Sequence, residues 1–383
     1  MRLSDFDYYL PKELIAQEPI APRDSSRLLV VDRKNQTIQH RTFKDIGEFL
    51  REGDLLVINN AKVFPARLLG RKENTGGKID LLLIEKRKEG LWKCLINASG
   101  AVKEGLEIIF GNNKLRGIVE SKDKEIYLVR FAPNQSATEA MADGTGFNFS
   151  KIIEEIGEMP LPPYIKNASE ASKEKYQTVY AKKTGAIAAP TAGFHFTEKL
   201  INNLKEKGVS FAAVTLMVGR GTFSPIKTEN VREHIMAEEY FEIDEAEKEK
   251  INKQLKNKGR IISVGTTTVR TLESIVPQSK SRQADKNGKI TRNQGKTSLF
   301  IYPGYKFNAV DALITNFHLP KSTPLLLACA FVADLPDVQD FGRRGAPKLW
   351  RRSAGKELIF KAYQEAIEKK YRFYSFGDAM FIL

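Results

Sequence analysis

Cysteine is scarce in this chain, and the scarcity decides much. Cys94 and Cys329 are its only two cysteines and stand far apart, which excludes a disulfide framework or a thiolate metal site. Histidine is almost as rare: His40, His195, His234 and His318 are scattered without metal-ligand spacing. No metal is expected. A nucleophile elbow of the G-x-S-x-G kind and a Cys–His pairing are both missing, which removes hydrolysis through a covalent nucleophile. Long apolar runs are missing too, since the longest, around Leu325 to Val332, is bounded by Pro324 and Asp334. The first residues, MRLSDFD, lack the charged-then-apolar layout of a signal peptide. A reducing, cytoplasmic setting without membrane contact is the expectation.

Positive charge is what the chain has in excess. Lys and Arg total 61 against 47 Asp and Glu, a formal net charge of +14. A field of that sign draws in polyanions and speeds encounter with nucleic acid. A lysine-rich proteome yields the same sum without RNA, so composition permits RNA binding and does not establish it. At 383 residues, 42% of them hydrophobic, the chain is long enough for two domains with real cores.

Residues 10–17 read as a short helix with Pro11 in its first turn, and 27–31 and 54–58 as buried strands. From 65 to 131 the texture changes. Apolar runs at 79–84, 92–96, 106–110 and 126–131 alternate with glycine-rich turns, the pattern of a small antiparallel barrel or sandwich. Residues 132–146 read as a linker. Beyond 148 helices and strands alternate: helix 197–207, strand 211–218, a helix capped by Asp244 that ends at Gly259, then strand 260–264. That order implies a mainly parallel sheet covered by helices. Residues 277–296 read as a polar surface loop, 356–369 as the last helix and 379–383 as a terminal strand. The fold class is therefore α/β, with an α/β domain over 1–62 and 148–383 interrupted by a small β-barrel domain over 63–147.

Chemistry concentrates in a few strings. GAIAAPTAGFHFT, from Gly185, crowds small residues around His195 before a helix that Thr197 can cap, so backbone can approach a ligand and free N–H groups can meet an anion. A tight turn packed under a helix explains the same string, and the residues leave the two readings even. VGRGTFSP places Gly219 and Gly221 at a strand end, but the third glycine and the helix of a dinucleotide fingerprint are absent. VGTTTVRTLE runs strand, glycine, threonines, helix, with Thr266 or Thr267 as cap, and it lacks the lysine of a P-loop. An ordinary strand-to-helix turn is the better reading of these residues taken alone. Two aromatic clusters remain: 302–324, holding Asp311, Asn316, His318 and Lys321, and 371–380, holding Arg372 and Asp378. Aromatic faces beside arginine can stack bases, although aromatics at a terminal strand are more often core.

Ten strings stand in one order across nearly the whole chain: RDSSRLLVVD from Arg23, NNAKVFPARLLG from Asn59, TGGKIDLLL from Thr75, GEMPLPPYI from Gly157, YQTVYA from Tyr176, GAIAAPTAGFHFT, VGRGTFSP, VGTTTVRTLE, TNFHLPKSTP and YRFYSFGDAM. In that order the chain resembles the S-adenosylmethionine:tRNA ribosyltransferase-isomerase family. The resemblance implies that the ribosyl part of S-adenosylmethionine moves to 7-aminomethyl-7-deazaguanine at the tRNA wobble position, giving epoxyqueuosine-tRNA, adenine and methionine. S-adenosylmethionine is then consumed as a donor, with no further cofactor, and tRNA is the partner. No heptad pattern argues for a coiled-coil dimer, so a monomer is expected.

The sulfonium acidifies the neighbouring 5′ carbon, so such a reaction needs a base there and donors for the departing adenine. His195 is the candidate base, with Glu239 and Asp378 as further catalytic candidates. Thr191, Gly193, Gly219, Gly221, Thr222, Gly265, Thr266, Thr267 and Arg270 are candidates for holding the donor. Arg23, Arg27, Lys62 and Arg67 are candidates for tRNA phosphates. The sequence departs from the family pattern where Met217 and Ala237 replace usual histidines, Arg220 a small or apolar residue, and Asn97–Gly100 a Pro- and Lys-containing segment; a basic stretch over 341–352 resembles an insertion. These departures leave a second reading, a tRNA-binding homologue with lost or altered catalysis. A methyltransferase would need a glycine-rich first strand-to-helix turn and a following acidic residue, and neither is present.

Overall fold

The computed structural model describes residues 1–133, 148–166, 169–219, 226–276, 289–334 and 348–383. The chain forms two compact units. One comprises Met1–Lys62, Pro163–Lys183 and Ala189–Leu383; the other Val63–Pro162 and Thr184–Ala188.

The larger unit is built on a nine-stranded mixed sheet in the order Gln294–Thr297, Glu239–Glu242, Ser210–Leu216, Leu55–Asn59, Ile261–Val264, Ala312–Asn316, Ala379–Ile382, Arg27–Asp32, Thr37–Thr42. Ser210–Leu216, Leu55–Asn59, Ile261–Val264 and Ala312–Asn316 run parallel, as do Ala379–Ile382 and Arg27–Asp32; the remaining neighbours are antiparallel. Both faces are covered, so the central strands are apolar throughout rather than alternating. Their side chains divide by the two-residue period: Leu29, Val31, Leu55 and Val57 join the core beneath the helices Glu245–Lys256, Thr266–Ile275, Thr323–Ala333 and Lys348–Glu368. Leu28, Val30, Leu56 and Ile58 face the other core, with Leu200 and Leu204 of the helix Glu198–Glu206 and Phe43 and Ile46 of a 3-10 segment. The four parallel central strands bring their carboxyl ends to one edge, the place where α/β sheets gather ligand-binding loops.

The smaller unit is a closed six-stranded antiparallel barrel, ordered Ile126–Pro133, Leu91–Ala98, Lys78–Lys88, Arg67–Lys72, Glu107–Phe110, Leu115–Asp123. Closure leaves no unpaired strand edge. The helix Phe149–Ile156, whose first turn is capped by Asn148 accepting from Lys151 N–H at 3.1 Å, adds Phe149, Ile152 and Ile153 to the barrel core.

Several expectations need correction. Residues 10–17 hold only one 3-10 turn, Lys12–Leu14, because Ile15 already bridges to Phe373 in extended form. Arg67–Lys72 and Leu115–Asp123 complete the barrel, and Gln294–Thr297, expected within a loop, is an edge strand. Thr197 caps its helix, accepting from Leu200 N–H at 3.1 Å. Asp244 stands at its helix start but turns its carboxylate to Lys183. Neither Thr266 nor Thr267 is a cap; Gly265 is, at φ +93. The linker lies outside the described residues from 134 on, as do 277–288 of the polar loop; 341–347 of the basic stretch are outside as well, and its remainder starts the helix Lys348–Glu368.

Candidate active site

A cleft of about 90 Å³ opens where the parallel strands end, and Tyr164, Thr191, the Gly265–Thr267 turn, Asn316, His318 and Ser375 are among the residues that line it. Gly265 makes the turn from strand to helix at φ +93 and ψ 152, a conformation open to glycine almost alone. The turn leaves the first N–H groups of the helix Thr266–Ile275 at the cleft, where partial positive charge gathers. Asn59, at the end of the neighbouring strand, ties this start in place: its amide donates to Leu216 carbonyl at 3.1 Å and to Thr267 Oγ1 at 3.4 Å.

Across the cleft the chain is held in a strained form. Tyr374 has φ +72, unusual for a bulky residue, and its carbonyl accepts Asn316 Nδ2–H at 3.1 Å. Tyr164 and Ser375 share a hydrogen bond of 2.6 Å on the same wall. His318 Nε2 meets Thr315 Oγ1 at 2.9 Å, and burial pushes its pKa down to about 3.

His195 is 3% exposed and does not line the cleft; Asn316 does. Its Nδ1 lies 2.8 Å from Ser26 Oγ, its Nε2 lies 3.3 Å from Asn316 Nδ2, and its ring packs 5.0 Å from Phe43. Burial pushes its pKa down to about 4; Asp378 opposes the shift, while Arg372 and Arg23 reinforce it. Asp378 is fully engaged. It accepts the backbone N–H groups of Arg27 at 3.2 Å and Arg372 at 2.8 Å, and pairs with both guanidiniums.

The profile of the family described as "Queuosine biosynthesis protein" matches residues 3–339 and 349–382. The chain is 46% identical, over the full length of both proteins, to the S-adenosylmethionine:tRNA ribosyltransferase-isomerase of Thermotoga petrophila. The chain belongs to the S-adenosylmethionine:tRNA ribosyltransferase-isomerase family. It is similar also to the 2.00 Å crystal structure of S-adenosylmethionine tRNA ribosyltransferase from Thermotoga maritima, with 37% identity, a TM-score of 0.50, and coverage of 99% of this chain and 100% of that one. Family membership makes the chain an enzyme of the transferase and isomerase class.

For a member of this ribosyltransferase-isomerase family, the candidate donor-binding residues separate by position. Thr191, Gly265, Thr266 and Thr267 line the cleft. Arg270, one turn further along the same helix, borders a neighbouring cavity of about 20 Å³ with Met236, Phe300 and Leu327. It forms a buried ion pair with Glu239 and donates from Nε to Leu299 carbonyl at 3.0 Å, while among the described residues Nη2 has no partner. Glu239 in turn accepts Gly219 N–H at 2.9 Å, so the pair holds the chain just beyond the strand Ser210–Leu216. Gly193 is away from the cleft, pressed against Tyr180 and Thr178, where a Cβ would collide with both. Gly221 and Thr222 lie outside the described residues.

The phosphate candidates also separate. Arg23 donates to the carbonyls of Gln177 at 2.7 Å and Lys175 at 3.0 Å. Arg27 donates to Lys369 carbonyl at 2.7 Å and lies 4.1 Å over the Tyr371 ring. Arg67 pairs with Asp80 and Glu158 in the barrel unit. Lys62 is exposed. Met217 is half-buried and donates its backbone N–H to Tyr240 carbonyl at 2.8 Å, while Ala237 is exposed. Sequence reasoning did not assign Tyr164, Ser375 or Tyr374 to the cleft. It noted Asn316 and His318 as an unusual cluster without a role; their polar side chains in an otherwise apolar strand end were the available signal.

Proposed function

We propose that this enzyme transfers and isomerises the ribosyl moiety of S-adenosylmethionine onto 7-aminomethyl-7-deazaguanine at the tRNA wobble position, yielding epoxyqueuosine-tRNA, adenine and methionine. The observation that carries the reading is the cleft at the Gly265–Thr267 helix start, which offers backbone donors and threonine hydroxyls in a partly apolar recess. Such a recess suits a hydroxyl-rich sugar joined to an adenine ring. Arg270, with an unspent buried donor nearby, suits the carboxylate of the methionyl arm. The net charge of +14 favours capture of a tRNA, and exposed Lys62 is the candidate among the four basic residues whose charge is turned to solvent.

Roles for Glu239 and Asp378 follow from what they hold. Glu239 keeps Arg270 and Gly219 in place, and Asp378 keeps Arg27 and Arg372 in place, so both act by positioning. Incubation of the enzyme with S-adenosylmethionine and precursor-bearing tRNA tests the reading. Free adenine and methionine in equal amounts are expected. S-adenosylhomocysteine instead would make it a methyltransferase, and tRNA binding without turnover would make it the non-catalytic homologue.

A further inference from the structure

Two histidines stand at or behind the cleft, and the protein holds them in opposite ways. Behind the wall, His195 has a partner on each ring nitrogen. The Asn316 carboxamide gives one N–H to Tyr374 carbonyl and directs the other at His195 Nε2, which leaves its oxygen on the side of Thr191 Oγ1, 3.5 Å away. Reversing that carboxamide would set its oxygen against two acceptors, the Tyr374 carbonyl and Nε2. His195 can accept at Nε2 only as the Nδ1–H tautomer, donating to Ser26 Oγ. The Ser26–His195 pair therefore fixes which end of Asn316 faces the cleft.

His318 lines the cleft itself. Its backbone is clamped from both sides: the N–H donates to Tyr363 Oη at 3.0 Å and the carbonyl accepts the Tyr8 hydroxyl. Thr315 Oγ1 meets Nε2 at 2.9 Å, and among the described residues nothing hydrogen-bonds Nδ1. With Nε2–H donating to Thr315, the Nδ1 lone pair is available. We propose that in the ribosyl transfer set out above His318 is the imidazole that carries the proton, whereas His195 is a positioning residue that acts through Asn316. The assignment rests on that functional reading and refines it.

The step balances without another reactant. The donor's C5′–H bond breaks, its electron pair stays on C5′ as an ylide beside the sulfonium, and the proton forms an N–H bond at His318 Nδ1. The ylide pair forms C4′=C5′ as C4′–O4′ breaks, and the O4′ pair forms C1′=O4′ as the bond from C1′ to adenine breaks. The pair from that last bond leaves on the adenine ring, which takes the proton back from the imidazolium. His318 ends neutral, as it began. Burial of the ring disfavours the imidazolium, which makes abstraction from C5′ the demanding half of the cycle and return of the proton to adenine the easy half.

The experiment compares the full chain with His318→Ala and His195→Ala in adenine release, in affinity for S-adenosylmethionine by calorimetry, and with added imidazole. His318→Ala is expected to lose adenine release by about 100-fold or more, to bind the donor within about threefold of the parent, and to recover part of its rate with imidazole. His195→Ala is expected to raise KM more than it lowers kcat and to gain nothing from imidazole; His195→Gln, whose side-chain oxygen can still accept from Asn316, restores it. If His318→Ala fails to fold, His318→Gln is assayed for uptake of solvent deuterium at C5′ of the donor, which should vanish. Undiminished adenine release in His318→Ala, undiminished uptake in His318→Gln, or imidazole rescue of His195→Ala overturns the assignment while the functional reading stands. No adenine from the parent enzyme overturns the functional reading and the assignment together.

Discussion

Glu239 and Arg270 form an ion pair closed off from solvent, with side chains 1% and 7% exposed. Each partner is what makes the other tolerable there, because a lone buried charge carries a large desolvation penalty. Replacing Arg270 by Gln or Glu239 by Gln should each cost about 3–5 kcal/mol in denaturant unfolding. The double replacement should cost less than the sum of the two, since it leaves no unpaired charge. Additive losses would show that the pair is not coupled.

Gly265 offers a cleaner separation of backbone strain from steric fit. A Cβ there would meet only Thr267 Oγ1 at 3.5 Å and Ala192 Cβ at 3.6 Å, ordinary contacts, yet φ +93 with ψ 152 is nearly closed to any residue with a side chain. Gly265→Ala is therefore expected to lose about 1–3 kcal/mol of stability from conformation alone. By shifting the helix start it should also weaken binding of S-adenosylmethionine. Unchanged urea midpoint and unchanged affinity would show that the turn relaxes at no cost.

Acid sensitivity should come from the two histidines of the site. Their folded pKa values, pushed down to about 4 for His195 and about 3 for His318, lie below the ordinary 6.5 of the unfolded chain. Between those limits the unfolded chain binds protons that the folded one refuses, so stability is intact above about pH 6.5 and falls as the pH drops. The slope is roughly 1.4 kcal/mol per pH unit for each such group. Urea midpoints at pH 7, 6 and 5 should decline, and His195→Gln or His318→Gln should each flatten the decline. A flat profile in the parent protein would contradict the lowered pKa values of both rings.

The barrel and the α/β order were legible because short apolar runs and the strand–helix rhythm are local signals. Arg67–Lys72 and Leu115–Asp123 escaped notice because charges at their ends mask the alternation that burial later reveals. Thr197 was readable as a cap from its neighbours, whereas Asp244 was not, since Lys183, distant in sequence, claims its carboxylate. The glycine and threonines at 265–267 could be placed at a ligand, but the cap itself depends on the φ of Gly265. His195 drew attention as a lone imidazole among small residues. That Asn316 stands between it and the cleft is a fact of two chain segments meeting, which no local pattern encodes.

The strand Ala379–Ile382 sits inside the large sheet, pairing with Ala312–Asn316 on one side and Arg27–Asp32 on the other. Segments from the two ends of the sequence must therefore find each other before the sheet is continuous. Contacts of such long range close slowly. Until they form, Arg27–Asp32 and Ala312–Asn316 each present a bare row of backbone donors and acceptors. A chain in which Ala379–Ile382 is undocked therefore offers two open edges to other copies of itself, so the place of this one strand matters to solubility as well as to the sheet.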